Sequence, residues 1–320
     1  MLLLPVLALV FGLAVLVWSS DKFVAGAAAL AHNFGVPHLI IGVTIVSLGT
    51  SAPEILVSIN ATLSDSVNLA MGNALGSNIA NIGLVLAITA MIAPLPISKR
   101  VMKVENFILI SVTLLGGWIL SDHFLSRTEG FILIGALSLF LIWIFYDGKS
   151  DKDSETEFEE DIPTGISNTS ALTWFAIGLT LLVISAKFMV WGATEIARAF
   201  QVSELIIGAT IIALGTSLPE LAASITSALK KHHDIALGNI IGSNIFNILA
   251  VISIPGLIKP TELLQDVFWR DYLVALLVTV LLSITLVFRG YQNKPIGRLF
   301  ATIVATIYLG YLYLNYLALA

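Results

Sequence analysis

The chain contains no cysteine. That excludes a disulfide, a thiolate metal centre and a thiol nucleophile. Charge is scarce too. Asp, Glu, Lys and Arg make up 12% of the 320 residues, where soluble domains carry about 25%. No extended basic patch is present, so nucleic acid is not an expected partner. No nucleophile–base set and no H-E-x-x-H metal motif is present, so enzymatic chemistry is not expected and no cofactor is called for. Apolar residues make up 57%. An excess of that size along the whole chain predicts a polytopic membrane protein with the lipid bilayer as its surroundings. The net charge of −5 is local. Eight acids lie between positions 147 and 161, and the remainder is near neutral.

A membrane-crossing helix needs about 20 largely apolar residues. Ten stretches qualify: 2–20, 38–61, 67–93, 104–121, 129–146, 170–197, 204–229, 234–256, 271–288 and 298–317. The first has no positive segment before it and reads as a retained helix, not a cleaved leader. Between the fifth and sixth lies an acidic, polar stretch with Pro163 and Gly165 that cannot bury a core. The expected organisation is therefore 1–146, a linker at 147–169, and 170–320.

The two halves repeat. A shift of 166 positions aligns them without a gap, and 24 of the 44 positions from Leu39 to Ile82 are identical to their mates. Gly49-Thr50-Ser51-Ala52-Pro53-Glu54 meets Gly215-Thr216-Ser217-Leu218-Pro219-Glu220. Gly72-Asn73-Ala74-Leu75-Gly76-Ser77-Asn78-Ile79-Ala80-Asn81 meets Gly238-Asn239-Ile240-Ile241-Gly242-Ser243-Asn244-Ile245-Phe246-Asn247. Apolar helices match by chance at Leu and Ala, but not at Pro, Glu and Asn in fixed register. Five spans per half is an odd number. The second half must then enter the membrane the opposite way round, giving an all-α protein of two inverted-topology five-helix repeats.

Lys and Arg are unevenly shared between alternate loops. Lys99, Arg100, Lys103, Lys149, Lys152, Lys230, Lys231, Arg289, Lys294 and Arg298 fall on one side; Arg127, Arg198, Lys259 and Arg270 fall on the other. The first side should be cytoplasmic. Both termini would then lie outside, and the acidic linker inside.

Chemistry concentrates in the second and third spans of each half. Ser47, Thr50, Ser51, Glu54 and Ser58 share a helical face, and Thr216, Ser217, Glu220 and Ser224 repeat it, with Ala213 at the place of Ser47. A carboxylate at bilayer depth is costly and faces a cavity or a partner. Lys22 and Lys187, the only basic candidates for pairing, are expected near the ends of other helices. Pro53 and Pro219 lack the N–H that would bond the carbonyls of Gly49 and Gly215, so each helix should kink beside its glutamate and free backbone oxygen. Asn73, Ser77 and Asn81, with Asn239, Ser243 and Asn247, supply facing surfaces at four-residue spacing. Hydroxyls, amides, carbonyls and two carboxylates form an all-oxygen donor set. It suits Ca²⁺ and Na⁺ better than Zn²⁺ or copper. The bland readings are that the Gly-x-x-x-Gly pairs only pack helices, that single hydroxyls bond their own backbone, and that His232 and His233 form a solvated loop.

These repeated motifs resemble the two alpha-repeats of the cation/calcium exchanger superfamily, in the compact prokaryotic sodium/calcium exchanger branch. The likeness implies ten helices, Ca²⁺/Na⁺ antiport by alternating access, function as a monomer, and four cation positions between the repeats. It implies that Glu54 and Glu220 hold Ca²⁺ with the carbonyls of Thr50 and Thr216. It implies that Na⁺ uses the same glutamates with Ser51, Ser77, Ser217, Ser243 and the carbonyls of Ser47 and Ala213. It also implies that the first and sixth helices slide across the core. Sodium/calcium exchangers often carry Asp where this chain has Asn247, so Asn81 and Asn247 are both neutral here. Proton-coupled relatives carry Glu where this chain has Gly76 and Gly242. Ca²⁺/H⁺ exchange is the alternative reading, and a passive cation channel a more distant one.

Overall fold

The computed structural model describes residues 2–147, 166–201, 211 and 213–319. Most of the linker, the repeat match at 205–208, the start of the seventh predicted span and Ala320 lie outside the described residues. The chain is helical: α1 (Leu3–Phe34), α2 (His38–Thr50), α3 (Ala52–Leu63), α4 (Val67–Ile92), α5 (Val101–Leu120) and α6 (Arg127–Asp147) form the first half. The second half contains α7 (Asn168–Ala199), α8 (Ala213–Thr216), α9 (Leu218–Leu229), α10 (His233–Ile258), α11 (Val267–Tyr291) and α12 (Arg298–Leu319). Among the described residues eight helices are long and apolar enough to cross a membrane, and α2 with α3 forms a ninth span bent by 42°. α8 and α9 are the described part of the tenth.

Most ends fall within a few residues of the predicted spans. The first does not. The polar run Ser19-Ser20-Asp21-Lys22 ends the apolar stretch, but α1 continues to Phe34 because these side chains find partners. Ser19 bonds the Leu16 carbonyl, Ser20 bonds Thr226, and Asp21 pairs with Lys230. The helix stops only at Gly35, which takes a left-handed φ of 61° that glycine adopts at little cost. Lys22 and Lys187 are thus well inside 32-residue helices rather than near their ends.

Two long helices cross on glycine. A Cβ on Gly12 would meet Met189, and one on Gly178 would meet Phe23; one on Gly26 would meet Ala171 and Phe175, and one on Gly192 would meet Pro5 and Leu9. Each contact in α1 has its mate in α7 at a shift of 166 (12 to 178, 26 to 192). Contacts run in opposite sequence directions, so α1 and α7 are antiparallel.

Loop pairing shows the same inversion. Leu95, after α4, bridges Ile296, before α12. Short strands β1 (Phe124–Leu125) and β2 (Thr261–Glu262) pair Leu125, before α6, with Thr261, after α10. In each case the loop after the third span of one half meets the loop after the fourth span of the other. Two halves facing the same way would place those loops on opposite faces. Asn78 and Asn244, repeat mates, touch each other: Asn78 Nδ2 donates to the Asn244 carbonyl at 3.3 Å. A residue that meets its own mate lies on the pseudo-twofold axis.

The core between the halves is made by α2, α4 and α10. Gly238 and Gly242 let α10 lie directly on α2; a Cβ on Gly238 would sit 2.8 Å from the Leu39 carbonyl oxygen. His232 is not in a solvated loop. It is buried at the entry to α10, with its ring stacked on His38 at 5.7 Å.

Candidate functional site

Both proline-bearing spans break one turn before their glutamate. α2 ends at Thr50, Ser51 leaves helical geometry, and α3 begins at Ala52; in the second half Ser217 makes the same break. Pro53 and Pro219 occupy the first turn of α3 and α9, where a missing N–H costs nothing. The expectation that Gly49 would offer a free carbonyl needs correction. Backbone N–H groups at the Ser51 cap bond the carbonyls of Ser47 and Gly49. What the break provides is the C-terminal end of a half-helix, whose negative dipole end favours a cation.

Glu54 and Glu220 are each 1% exposed. Ser77 Oγ donates to Glu54 Oε1 at 3.3 Å, and Ser51 Oγ donates to Glu220 Oε1 at 3.2 Å. The second of these joins the halves. In both carboxylates Oε2 has no hydrogen-bond partner. Around them Ser217 Oγ and Ser243 Oγ are buried without partners, as are both amide atoms of Asn81 and of Asn247. Those two asparagines open π-helical turns, Asn81–Leu86 and Asn247–Val251, at matching places in α4 and α10. A π turn widens a helix and commonly marks a functional position.

Buried polar groups normally find partners. Here unpartnered oxygens and amides gather at repeat-related positions around two carboxylates. This is a donor set that a hard cation would complete. No group of three or more His, Cys, Asp or Glu side chains placed to hold a metal ion occurs among the described residues. Neutral oxygens would therefore make up most of any coordination shell.

Not every singled-out residue points inward. Ser47 Oγ turns to its own helix and donates to the Val43 carbonyl at 2.6 Å, and the Ser47 carbonyl accepts from the Ser51 N–H at 2.9 Å. Ala213 begins α8, and only its backbone is described. Asn239 sits behind the site and ties it together. Its Nδ2 donates to the Glu220 carbonyl at 3.3 Å and to Ser224 Oγ at 2.9 Å, and its Oδ1 accepts from Thr50 Oγ1 at 3.0 Å. Asn73 Nδ2 likewise donates to the Glu54 carbonyl at 3.3 Å.

Sequence reasoning missed a second pair of buried acids. Glu105 and Asp271 are repeat mates (105 to 271), 1% and 3% exposed. Arg100 Nε holds Glu105 at 2.9 Å, and Arg270 Nε holds Asp271 at 2.8 Å. Their recurrence at the same shift was the available signal. With arginine partners they are ion pairs bracing α5 and α11, separate from the glutamate site.

A cavity of about 380 Å³ lies between α3 and α7, beside the two helix breaks. Pro53, Leu56, Asn60, Lys187, Trp191 and Thr216 line it. The repeat-related gap, between α9 and α1, is closed: Ser20 Oγ donates to the Ala222 carbonyl at 2.8 Å and to Thr226 Oγ1 at 2.6 Å. Among the described residues one side of the broken helices thus borders a cavity, and the repeat-related side is closed by hydrogen bonds.

Comparison with known proteins agrees with this architecture. The family described as sodium/calcium exchanger protein matches residues 4–146 and 170–317. The protein CaxA of Alkalimonas amylolytica is 44% identical, covering 98% of this chain and 99% of that protein. The inner membrane protein YrbG of Escherichia coli is 39% identical, covering 88% and 89%. Solved structures of the sodium-calcium exchanger NCX_Mj, including one soaked with Na⁺ and Sr²⁺, superpose with a TM-score of 0.83 at 31% identity, covering 97% of each chain. The protein is an integral membrane transporter, not an enzyme, and it belongs to the sodium/calcium exchanger family of cation/Ca²⁺ antiporters.

Proposed function

We propose that this antiporter exchanges one Ca²⁺ for Na⁺ by alternating access, with Glu54 and Glu220 binding both ions in turn. The observation that carries the reading is the meeting of these repeat-related glutamates. The Ser51 bond to Glu220 ties the first half's break to the second half's carboxylate. Two carboxylates match the charge of one Ca²⁺, and the carbonyls of Thr50 and Thr216 would complete its shell. Na⁺ would use Ser51, Ser77, Ser217, Ser243, the carbonyls of Ser47 and Ala213, and the amides of Asn81 and Asn247. Hydroxyls, amides and carbonyls coordinate Na⁺ but do not exchange protons near neutral pH. Only Glu54 and Glu220 could carry protons, and both are already engaged by Ca²⁺. This favours Na⁺ as the coupling ion.

In this reading residues 1–146 and 170–320 are the two exchanging halves and 147–169 a cytoplasmic linker. The chain works as a monomer in the cytoplasmic membrane, with both termini outside. The cavity runs along α3 from Pro53 to Asn60, toward the end that leads to Asp65, which the loop charges assign to the outside. The described form is then outward-open. Sliding of α1 and α7 along their glycine crossing would close that path and open the other.

The test is counter-transport. Proteoliposomes loaded with Na⁺, with pH and voltage clamped, should take up Ca²⁺ in proportion to the Na⁺ gradient. Uptake that ignores Na⁺ and follows an imposed pH gradient establishes proton coupling instead. Uptake that needs neither gradient and does not saturate points to a channel.

A further inference from the structure

The two access paths are related by the repeat, but their linings are not. Besides the Ser20 bonds, the closed path is held by two residues, Asp21 of α1 and Lys230 just after α9. Lys230 Nζ lies 2.6 Å from Asp21 Oδ1, and the Thr226 hydroxyl meets Ser20 Oγ. Asp21 and Lys230 are 43% and 32% exposed, so the pair sits at the mouth and not in the core. Shifting each position by 166 gives the open path: Ser20 becomes Ala186, Asp21 becomes Lys187, Ala222 becomes Leu56, Thr226 becomes Asn60 and Lys230 becomes Ser64. Of these Ala186, Lys187, Leu56 and Asn60 line the cavity. So the acid that fastens one mouth is replaced by a base at the other. The lysine that answers it is replaced by a serine, and the hydroxyl by a methyl group.

We infer that Ser20, Asp21 and Lys230 form a latch that holds one access path shut, and that Lys187 and Ala186 leave the opposite path without one. The latch sets which face of the carrier is open in the absence of a gradient. An inverted repeat with identical linings would be balanced between its two forms, because each form is the other turned over. Any bias must come from positions where the halves differ. Among the contacts between a long helix and a broken one, these are such positions. The inference rests on the alternating-access reading above. It adds which residues bias it and in which direction.

The absence of native cysteine makes the test direct. One reporter is Asn60→Cys, in the open cavity; the other is Ala222→Cys, whose backbone carbonyl still accepts the Ser20 bond. Purified protein in detergent is labelled with a maleimide, so membrane orientation does not enter. In the starting chain Asn60→Cys should label faster than Ala222→Cys. Asp21→Asn, and separately Lys230→Met, should raise the Ala222→Cys rate about threefold and lower the Asn60→Cys rate, the scale of a partly exposed ion pair. The exchanged pair Asp21→Lys with Lys230→Asp should restore both rates. Conversely, Lys187→Asp with Ser64→Lys should slow labelling at Asn60→Cys by installing a latch on the other mouth.

Unchanged rates in a folded Asp21→Asn variant overturn the latch. So do rates that rise together at both reporters, since that signals general loosening. Alternating access is read separately, in the chain with an intact latch, by adding Ca²⁺ or Na⁺. Ion-driven changes that are not reciprocal at the two reporters sink that reading and the latch with it. Reciprocal reporters that ignore Asp21→Asn sink the latch alone.

Discussion

Replacing Gly242 by alanine should damage ion binding, although Gly242 touches no ion in any reading of the site. A Cβ there would lie 2.4 Å from the Val43 carbonyl oxygen and 2.4 Å from Ser47 Oγ, whereas ordinary contact begins at 3.4 Å. The obstacle at Val43 is backbone, so α2 must retreat by the difference, 3.4 − 2.4 = 1.0 Å. The same stretch of α2 leads to Thr50 and Ser51. Their bonds to Asn239 and Glu220, now 3.0 and 3.2 Å, pass the limit of a useful hydrogen bond on such a retreat. Two lost bonds at about 0.5–1.5 kcal/mol each and overpacking at about 1–3 kcal/mol give roughly 2–6 kcal/mol of destabilisation. Calcium ligands sit at about 2.3–2.6 Å, so a shift of that size removes them, and Ca²⁺ affinity should fall at least about 100-fold. Thermal unfolding and Ca²⁺-dependent exchange of the purified variant measure both effects. Gly310→Ala is the control, because α12 is exposed there and a Cβ would meet nothing within 4 Å. A Gly242→Ala protein with unchanged melting and unchanged Ca²⁺ dependence would refute the claim that backbone contact between α2 and α10 sets the site.

Three further outcomes are expected. Glu54→Gln and Glu220→Gln should each abolish Ca²⁺ exchange in protein that still inserts and folds, as checked by uptake and by size-exclusion profile. A cysteine at Ser154 should react with an impermeant thiol reagent only from the cytoplasmic side, and labelling from outside intact cells would reverse the orientation. Moderate shortening of the 147–169 linker should leave exchange intact, because the halves are held by their own interface; lost exchange in a correctly inserted deletion would show that the linker gates.

The inverted repeat and its glutamates were legible because lipid penalises polar residues that have no task. Glu54, Pro53 and Asn81 stand out from apolar neighbours, and each recurs at the 166-residue shift. Hydropathy failed where polar side chains are satisfied inside the protein. Ser19 to Lys22 looked like the end of a helix and are its middle. His232 looked like a loop and is stacked on His38. The glycines of α1 and α7 recur at the same shift, but only the crossing shows that each meets a side chain or backbone of the other helix. The proline rule correctly located the break and misjudged its consequence, because capping N–H groups reclaimed the Gly49 carbonyl. Which path is open could not be read from halves so alike, since a sequence repeat is silent on which of two packings related by the pseudo-twofold rotation the chain adopts.

The central claim is that two glutamates from opposite halves share a single Ca²⁺. Calorimetric titration of the purified, Na⁺-free protein with Ca²⁺ tests it most directly. The account predicts one Ca²⁺ per chain, displaced by Na⁺, and no measurable binding by either Glu54→Gln or Glu220→Gln. Two Ca²⁺ per chain, with each single variant retaining one, would mean that the glutamates serve separate sites and would contradict it.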